Sequence, residues 1–304
     1  MRAEQTPRAP MDRSDCRVLT LPDGRRLAYA EYGVTRGAPV VYCHGFPSSR
    51  LEARLAHAAA VEARLRLIAP DRPGFGCSDP CPGRRLVDWP DDLAALLRDL
   101  AVERYAVLGV SGGAPYALAC AVAHPQQVGG VTLVGGLGPI YEPALAQGMP
   151  WHVRLARTLV RHSPVLARLF FALLVTGLRC AAPVLLAFFV RQLSSADQAA
   201  LADAAVRHAL LDSLHEAARQ GAQAWVDDFS IYARPWGFDL SGVDVPVQLW
   251  HGGQDRVVVP AVAHRVAGAL PRCHPHILPR DGHYSLPLRH THEILRVLAS
   301  TESP

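Results

Sequence analysis

One repeated alternation constrains this chain more than any other feature. "PVVYCHG" (39–45), "RLIAPD" (66–71), "YAVLGV" (105–110) and "VGGVTLVGG" (128–136) are short apolar runs, separated by helical stretches such as 88–100 and 113–123. A run that is apolar at nearly every position suits a strand buried on both faces, and parallel strands joined by crossover helices are the arrangement that buries them. The alternation stops over 139–238 and then resumes with "PVQLWHGGQD" (246–255), a helix near 260–269, "CHPHILP" (273–279) and a helix over 286–299. Ahead of it, residues 17–21 and 26–32 flank "PDG", a turn signal that predicts a β-hairpin. The expectation is an α/β core over 16–138 and 239–304, preceded by a polar, flexible tail over 1–15.

The interruption over 139–238 is helical in character and reads as a lid. "SADQAALADAAVRHALLDSLHEAA" opens with Ser195 and Gln198 at capping-box spacing and carries Leu210, Leu214 and Ala217 on one face. "LFFALLV" (169–175) and "VLLAFFV" (184–190) are apolar, but Arg168, Arg179, Pro183 and Arg191 keep each run far short of the roughly 20 apolar residues a membrane span requires. No span is predicted. These runs are expected to be packed helices, site-lining helices or a surface that touches lipid.

Composition excludes several functions. The 31 basic and 27 acidic residues are scattered, with no clustered basic stretch to track phosphates, so no nucleic-acid partner is expected. Seven cysteines without regular spacing argue against a disulfide framework and for a cytoplasmic setting. Cys77 and Cys81 have no further ligands nearby in sequence, so neither a metal nor a cofactor is expected. The N-terminus has no apolar segment of secretory type. Oligomeric state is not legible.

Chemistry concentrates at "LGVSGGAP" (108–115), a serine among glycines directly after an apolar run and before a helix. Such a turn forces its central residue to positive φ and needs small neighbours, and it displays the Ser111 hydroxyl. A serine needs a base to take its proton and an acid to orient that base. Among fourteen histidines, His283 in "RDGHYS" lies in the short turn between the last strand and the last helix and is the chosen base; His274, His276, His290 and His292 are expected to be structural. Asp255, at the end of "HGGQD", is the chosen acid, with Glu142 in reserve. The "HGFP" loop (44–47) follows a strand, where the backbone N–H of Phe46, with that of Gly112, can face an oxyanion.

Taken together, "HGFPSSR", "DRPGFGCSD", "GVSGGAP", "HGGQDRVV" and "GHYS" resemble the α/β-hydrolase superfamily, in its order Ser, Asp, His, over nearly the whole chain outside the tail. The resemblance implies a mostly parallel, eight-stranded sheet flanked by helices, with a helical cap inserted after strand 6. It gives Asp71 a mainly structural role. Haloalkane dehalogenases and epoxide hydrolases carry a carboxylate where this chain has Ser111. Proline iminopeptidases usually carry Trp, and cofactor-free haloperoxidases Met, where it has Gly112. The likeness is therefore closest to serine esterases and general hydrolases.

The expected function is cleavage of a carboxylic ester, thioester or lactone of an apolar small molecule through an acyl-enzyme on Ser111. Alternatives are a carbon-carbon bond hydrolase, an acyltransferase or cyclase using the same triad, and a non-catalytic hydrolase-like binding protein. Phe170, Phe171, Phe188 and Phe189, the bulkiest groups of the two apolar runs, are candidates to line the pocket.

Overall fold

The structure, a computed structural model, describes residues 16–300; the tail expected over 1–15 lies outside the described residues. Eight strands form one sheet: β1 (Arg17–Thr20), β2 (Arg26–Gly33), β3 (Ala38–Cys43), β4 (Leu65–Pro70), β5 (Tyr105–Val110), β6 (Val128–Val134), β7 (Val247–Gly252) and β8 (Cys273–Leu278). Their order is β1-β2-β4-β3-β5-β6-β7-β8. The predicted hairpin pairs Arg17 with Tyr29, β2 runs antiparallel to β4, and every other pairing is parallel.

Helices α1 (His57–Glu62), α2 (Trp89–Asp99) and α3 (Ala114–Ala123) link the early strands. Six more follow β6: α4 (Pro143–Gly148), α5 (Trp151–His162), α6 (Pro164–Val190), α7 (Ser195–Ala200), α8 (Ala204–Ala217) and α9 (Gln223–Tyr232). After β7 come α10 (Pro260–Ala267) and, following β8, α11 (Ser285–Ser300). Neighbouring strand residues point to opposite faces, which explains the unbroken apolar runs. Val41 and Val107 join the core with Leu93 of α2 and Tyr116 of α3, whereas Val40 and Ala106 join Ala60 of α1 and Leu295 of α11.

The apolar runs 169–175 and 184–190 lie on two helical arms of α6, which meet at a kink at Ala181 (φ −146°) just ahead of Pro183. By length and composition it could cross a membrane, but Ala167, Phe171, Val175 and Leu178 are buried against the protein along one face. One expectation about the insertion needs correction: the capping box is displaced. The side chain of Ser194, not Ser195, accepts the N–H of Asp197, and the helical pattern breaks at 201–203, where Asp203 caps α8.

Candidate active site

The turn after β5 is shaped by what surrounds it. Ser111 has φ +49°, the left-handed region that L side chains rarely adopt, and so stands at a sharp corner between β5 and α3. Gly113 cannot be larger, since a Cβ there would lie 2.0 Å from the Cys43 carbonyl oxygen. Pro115 sits in the first turn of α3, where its missing N–H leaves no bond unmade.

Three segments far apart in sequence meet at this corner. The Ser111 hydroxyl lies 3.1 Å from His283 Nε2, and His283 Nδ1 lies 2.7 Å from Asp255 Oδ2. Asp255 stands in the loop after β7, where its other oxygen accepts the N–H groups of Val257 and Val258, both at 2.8 Å. That leaves Oδ2 to His283 and, at 3.5 Å, to His251. Burial pulls the His283 imidazole toward its neutral form, but the charge and hydrogen bond of Asp255, with Asp197 and Glu52 behind them, raise its pKa above the ordinary histidine value.

The loop after β3 brings Phe46 to the same place. A Cβ added to Gly112 would stand 3.2 Å from the Phe46 nitrogen, so the two backbone groups lie side by side next to Ser111. Gly112 is in the first turn of a helix, where an N–H has no intrahelical acceptor. The Phe46 and Gly112 backbones and the Ser111 hydroxyl therefore lie close together.

The reserve residues lie elsewhere. Glu142 pairs with Arg265 at 2.8 Å, His290 with Asp281 at 3.0 Å and His292 with Glu62 at 2.8 Å, while His276 stacks on Trp250 and His274 is exposed. Asp71 binds Arg50, through its backbone N–H at 2.7 Å and its guanidinium at 2.6 Å, away from the serine.

Beside the corner opens a cavity of about 730 Å³ lined by Ser111, His283, Phe170, Phe171, Phe188 and Phe189. The four phenylalanines are not equivalent: Phe171 is 3% exposed and packs in the core, whereas Phe188 is 53% exposed.

Two buried carboxylates at the site escaped sequence reasoning. Glu52 accepts the Gly45 N–H and the Tyr42 hydroxyl, both at 3.0 Å, and so holds the loop that carries Phe46. Burial raises its pKa, against the pull of those hydrogen bonds and that of Ser48. Asp197, on α7, accepts the N–H groups of His283, Tyr284 and Ser285 at 2.8–3.0 Å and the Ser285 hydroxyl at 3.0 Å. It caps the turn that carries His283. The only trace in the sequence is local: Glu52 lies within the "SSRLEAR" stretch, and Asp197 stands three residues after a capping serine.

A family model described as the alpha/beta hydrolase fold matches residues 38–289. The chain is 33% identical over 125 residues to a non-heme chloroperoxidase of Streptomyces lividans, a match covering 40% of this chain and 45% of that protein. It therefore spans less than half the length of that relative. It is 29% identical over 234 residues to a 2-hydroxy-6-oxononadienedioate/2-hydroxy-6-oxononatrienedioate hydrolase of Cupriavidus pinatubonensis, covering 74% of this chain and 72% of that protein. Among solved structures, an esterase from Exiguobacterium antarcticum superposes with a TM-score of 0.69 at 17% identity over 94% of this chain and 99% of its own, a likeness of fold.

Proposed function

The chain belongs to the α/β-hydrolase fold family, and from that premise we propose that it is a serine hydrolase that cleaves a carboxylic ester of an apolar small molecule. The observation that carries the reading is the hydrogen-bonded line from Ser111 through His283 to Asp255, at 3.1 and 2.7 Å. Ser111 Oγ attacks the ester carbonyl carbon while His283 Nε2 takes its proton. Phe46 and Gly112 donate their N–H groups to the oxyanion, and Asp255 stabilises the imidazolium. The carbon-oxygen bond to the leaving group breaks, and His283 gives the proton to the departing alkoxide. Water then attacks the acyl carbonyl carbon, losing its proton to His283; the bond from that carbon to Ser111 Oγ breaks, His283 returns the proton to Oγ, and the carboxylic acid departs. Residues 139–238 act as a lid over this site, and their inward phenylalanines select an apolar acyl or alcohol group.

A second reading, hydrolysis of a carbon-carbon bond by the same triad, is favoured by the name of the Cupriavidus relative. That name describes a dicarboxylate, whereas the cavity in this chain is walled mostly by apolar side chains, which supports the ester. A fluorophosphonate probe together with a chain-length series of p-nitrophenyl esters and a vinylogous diketone tests both. One phosphonate should attach at Ser111, and Ser111→Ala should lose ester turnover by on the order of 10⁶-fold while folding normally. An adduct at another residue, or cleavage of the diketone in preference to every ester, overturns the assignment.

A further inference from the structure

Large apolar side chains are exposed in one part of this molecule. Of the ten found exposed among the described residues, eight fall between Trp151 and Phe188. In α6 they are the reverse of a packed face. Ala167, Phe171, Val175 and Leu178 are buried, whereas Val165, Leu166, Leu169 and Leu173 are exposed. At about 100° per residue the two sets lie on opposite sides of the helix. Past the bend, Val184 and Phe188 continue the exposed set, each more than half exposed.

Charge is segregated in the same place. Residues 143–196 contain six of the 31 basic residues and none of the 27 acidic ones. Arg154, Arg161, Arg168, Arg179 and Arg191 are exposed, with Arg157 partly so. Arg161 and Arg179 also donate to backbone carbonyls, of Ala233 and Ala218 respectively.

The apolar set reaches the cavity. Trp151 and Phe188 both line it and are both 53% exposed, and the rings of Trp151, His152, Phe189 and Phe188 touch in series at 5.6–5.7 Å between centroids. The start of α5 and the end of α6 therefore form a rim, with Arg154 one turn from Trp151 and Arg191 one turn from Phe188.

We propose that the outer face of α5 and α6 docks on an anionic lipid bilayer, with the cavity rim turned toward the membrane. An apolar face flanked by arginines suits the boundary between acyl chains and negative headgroups, where tryptophan is also favoured and arginine stems extend to the phosphates. A second copy of this chain is a poorer occupant, because a two-fold contact sets the same arginine-rich, acid-free face against itself. Spanning is opposed by the bend at Ala181, by Arg168 and Arg179 within the helix and by the face buried on the protein.

The test is co-sedimentation of the full chain with phosphatidylcholine vesicles and with vesicles that also contain phosphatidylserine, at low and high salt. It reads partition rather than turnover, so it stands or falls independently of the proposed reaction. Binding should require phosphatidylserine and weaken with salt. Each arginine removed should weaken it about fivefold, so Arg154→Gln/Arg168→Gln/Arg191→Gln should lose about a hundredfold. Leu169→Ser/Leu173→Ser should also reduce partition, with melting temperature confirming that both variants fold. Absence of binding at low salt, equal binding to both vesicle types, loss of partition in neither folded variant, a salt-stable dimer broken by Leu169→Ser/Leu173→Ser, or bound protein released only by detergent would each overturn the proposal.

Discussion

The two halves of the helical insertion are held in place by different chemistry. Over 195–232, four buried polar side chains reach across to the core. Asp197 holds the His283 turn, Ser213 bonds Ser48 and Ser49, Glu216 pairs with Arg50 at 2.8 Å, and Asp228 gathers Arg72, Arg84 and Tyr116. Tyr232 adds a hydroxyl 2.9 Å from the Gly112 carbonyl, next to the Ser111 turn. Over 151–190 no carboxylate takes part; α5 and α6 pack on α8 and α9 of the second half by apolar contact, helped by arginines that donate to carbonyls of the insertion's own 140–141, 218–219 and 233 backbone. A buried ionic clasp admits one geometry, because any displacement leaves a charge unpaired in low dielectric. Apolar contact is less directional. The second half is thus built to fix the site, and the first to face outward and shape access.

The sharpest way to break that comparison is to remove the strongest clasp. Asp228 is fully buried, with Arg72 at 2.8 Å and Arg84 also paired to it. Asp228→Asn keeps the shape but leaves two buried guanidinium groups without their counter-ion, and should cost about 3–5 kcal/mol in urea unfolding. Leu173→Ser, on the exposed face of α6, should stay within about 0.5 kcal/mol. Equal losses would abolish the distinction. Burial alone would raise the Asp228 pKa, but the two arginines outweigh it and hold it below the ordinary aspartate value of 3.8. Its contribution is therefore full at neutral pH and is lost as pH falls below that value, a part of the acid sensitivity that Asp228→Asn should lack.

The sequence exposes one kind of information and conceals the other. Ser111, Asp255 and His283 each follow a strand, so local pattern places them at the same edge of the sheet, and a positive φ is legible from the glycines around Ser111. The clasps are not local. Glu216 is 166 residues from Arg50, Asp228 is 156 from Arg72 and Asp197 is 86 from His283; on a helix written without its partners, each is one more acidic residue on an amphipathic segment. The kink in α6 was legible: the intervening "TGLRCAAP" breaks the apolar pattern and carries Pro183, so the runs on either side read as separate helices, and the backbone leaves helical geometry at Ala181 between them.

A smaller effect sharpens the comparison at the site itself. Asp197 touches no reacting atom; it is a positioning residue, binding the backbone of the turn that carries His283. Asp197→Asn keeps one acceptor oxygen but loses the charge and half of the cap, and a displaced imidazole should lower kcat about 10²-fold. The pH profile separates positioning from simple support. His283 accepts a proton only when neutral, so kcat/KM falls as pH drops through its pKa, and the Asp197 charge is among those that raise that pKa. The acid limb of Asp197→Asn should therefore move to lower pH. A loss of kcat with the limb unmoved reduces Asp197 to a structural support, and an unchanged kcat removes it from the mechanism.

The smallest expected effect lies in the first half of the insertion, where the comparison predicts altered preference with little loss of stability. Phe189 lines the cavity, is partly exposed, and makes its ring contacts with His152 and Phe188. Phe171 lines the same cavity but is buried among Phe46, Phe170 and Phe229. Truncating a buried phenylalanine costs about 3–5 kcal/mol of stability, so Phe171→Ala should report on the core. Phe189→Ala should leave the melting temperature nearly unchanged and enlarge the space available to the substrate. One methylene in an apolar pocket discriminates by about 1–3 kcal/mol, so the ratio of kcat/KM for long against short acyl esters should rise by about tenfold at least. If Phe189→Ala lowers stability as Phe171→Ala does and leaves the chain-length profile intact, then α6 is core along both of its faces, and the outward half of the insertion is no different in kind from the clasped half.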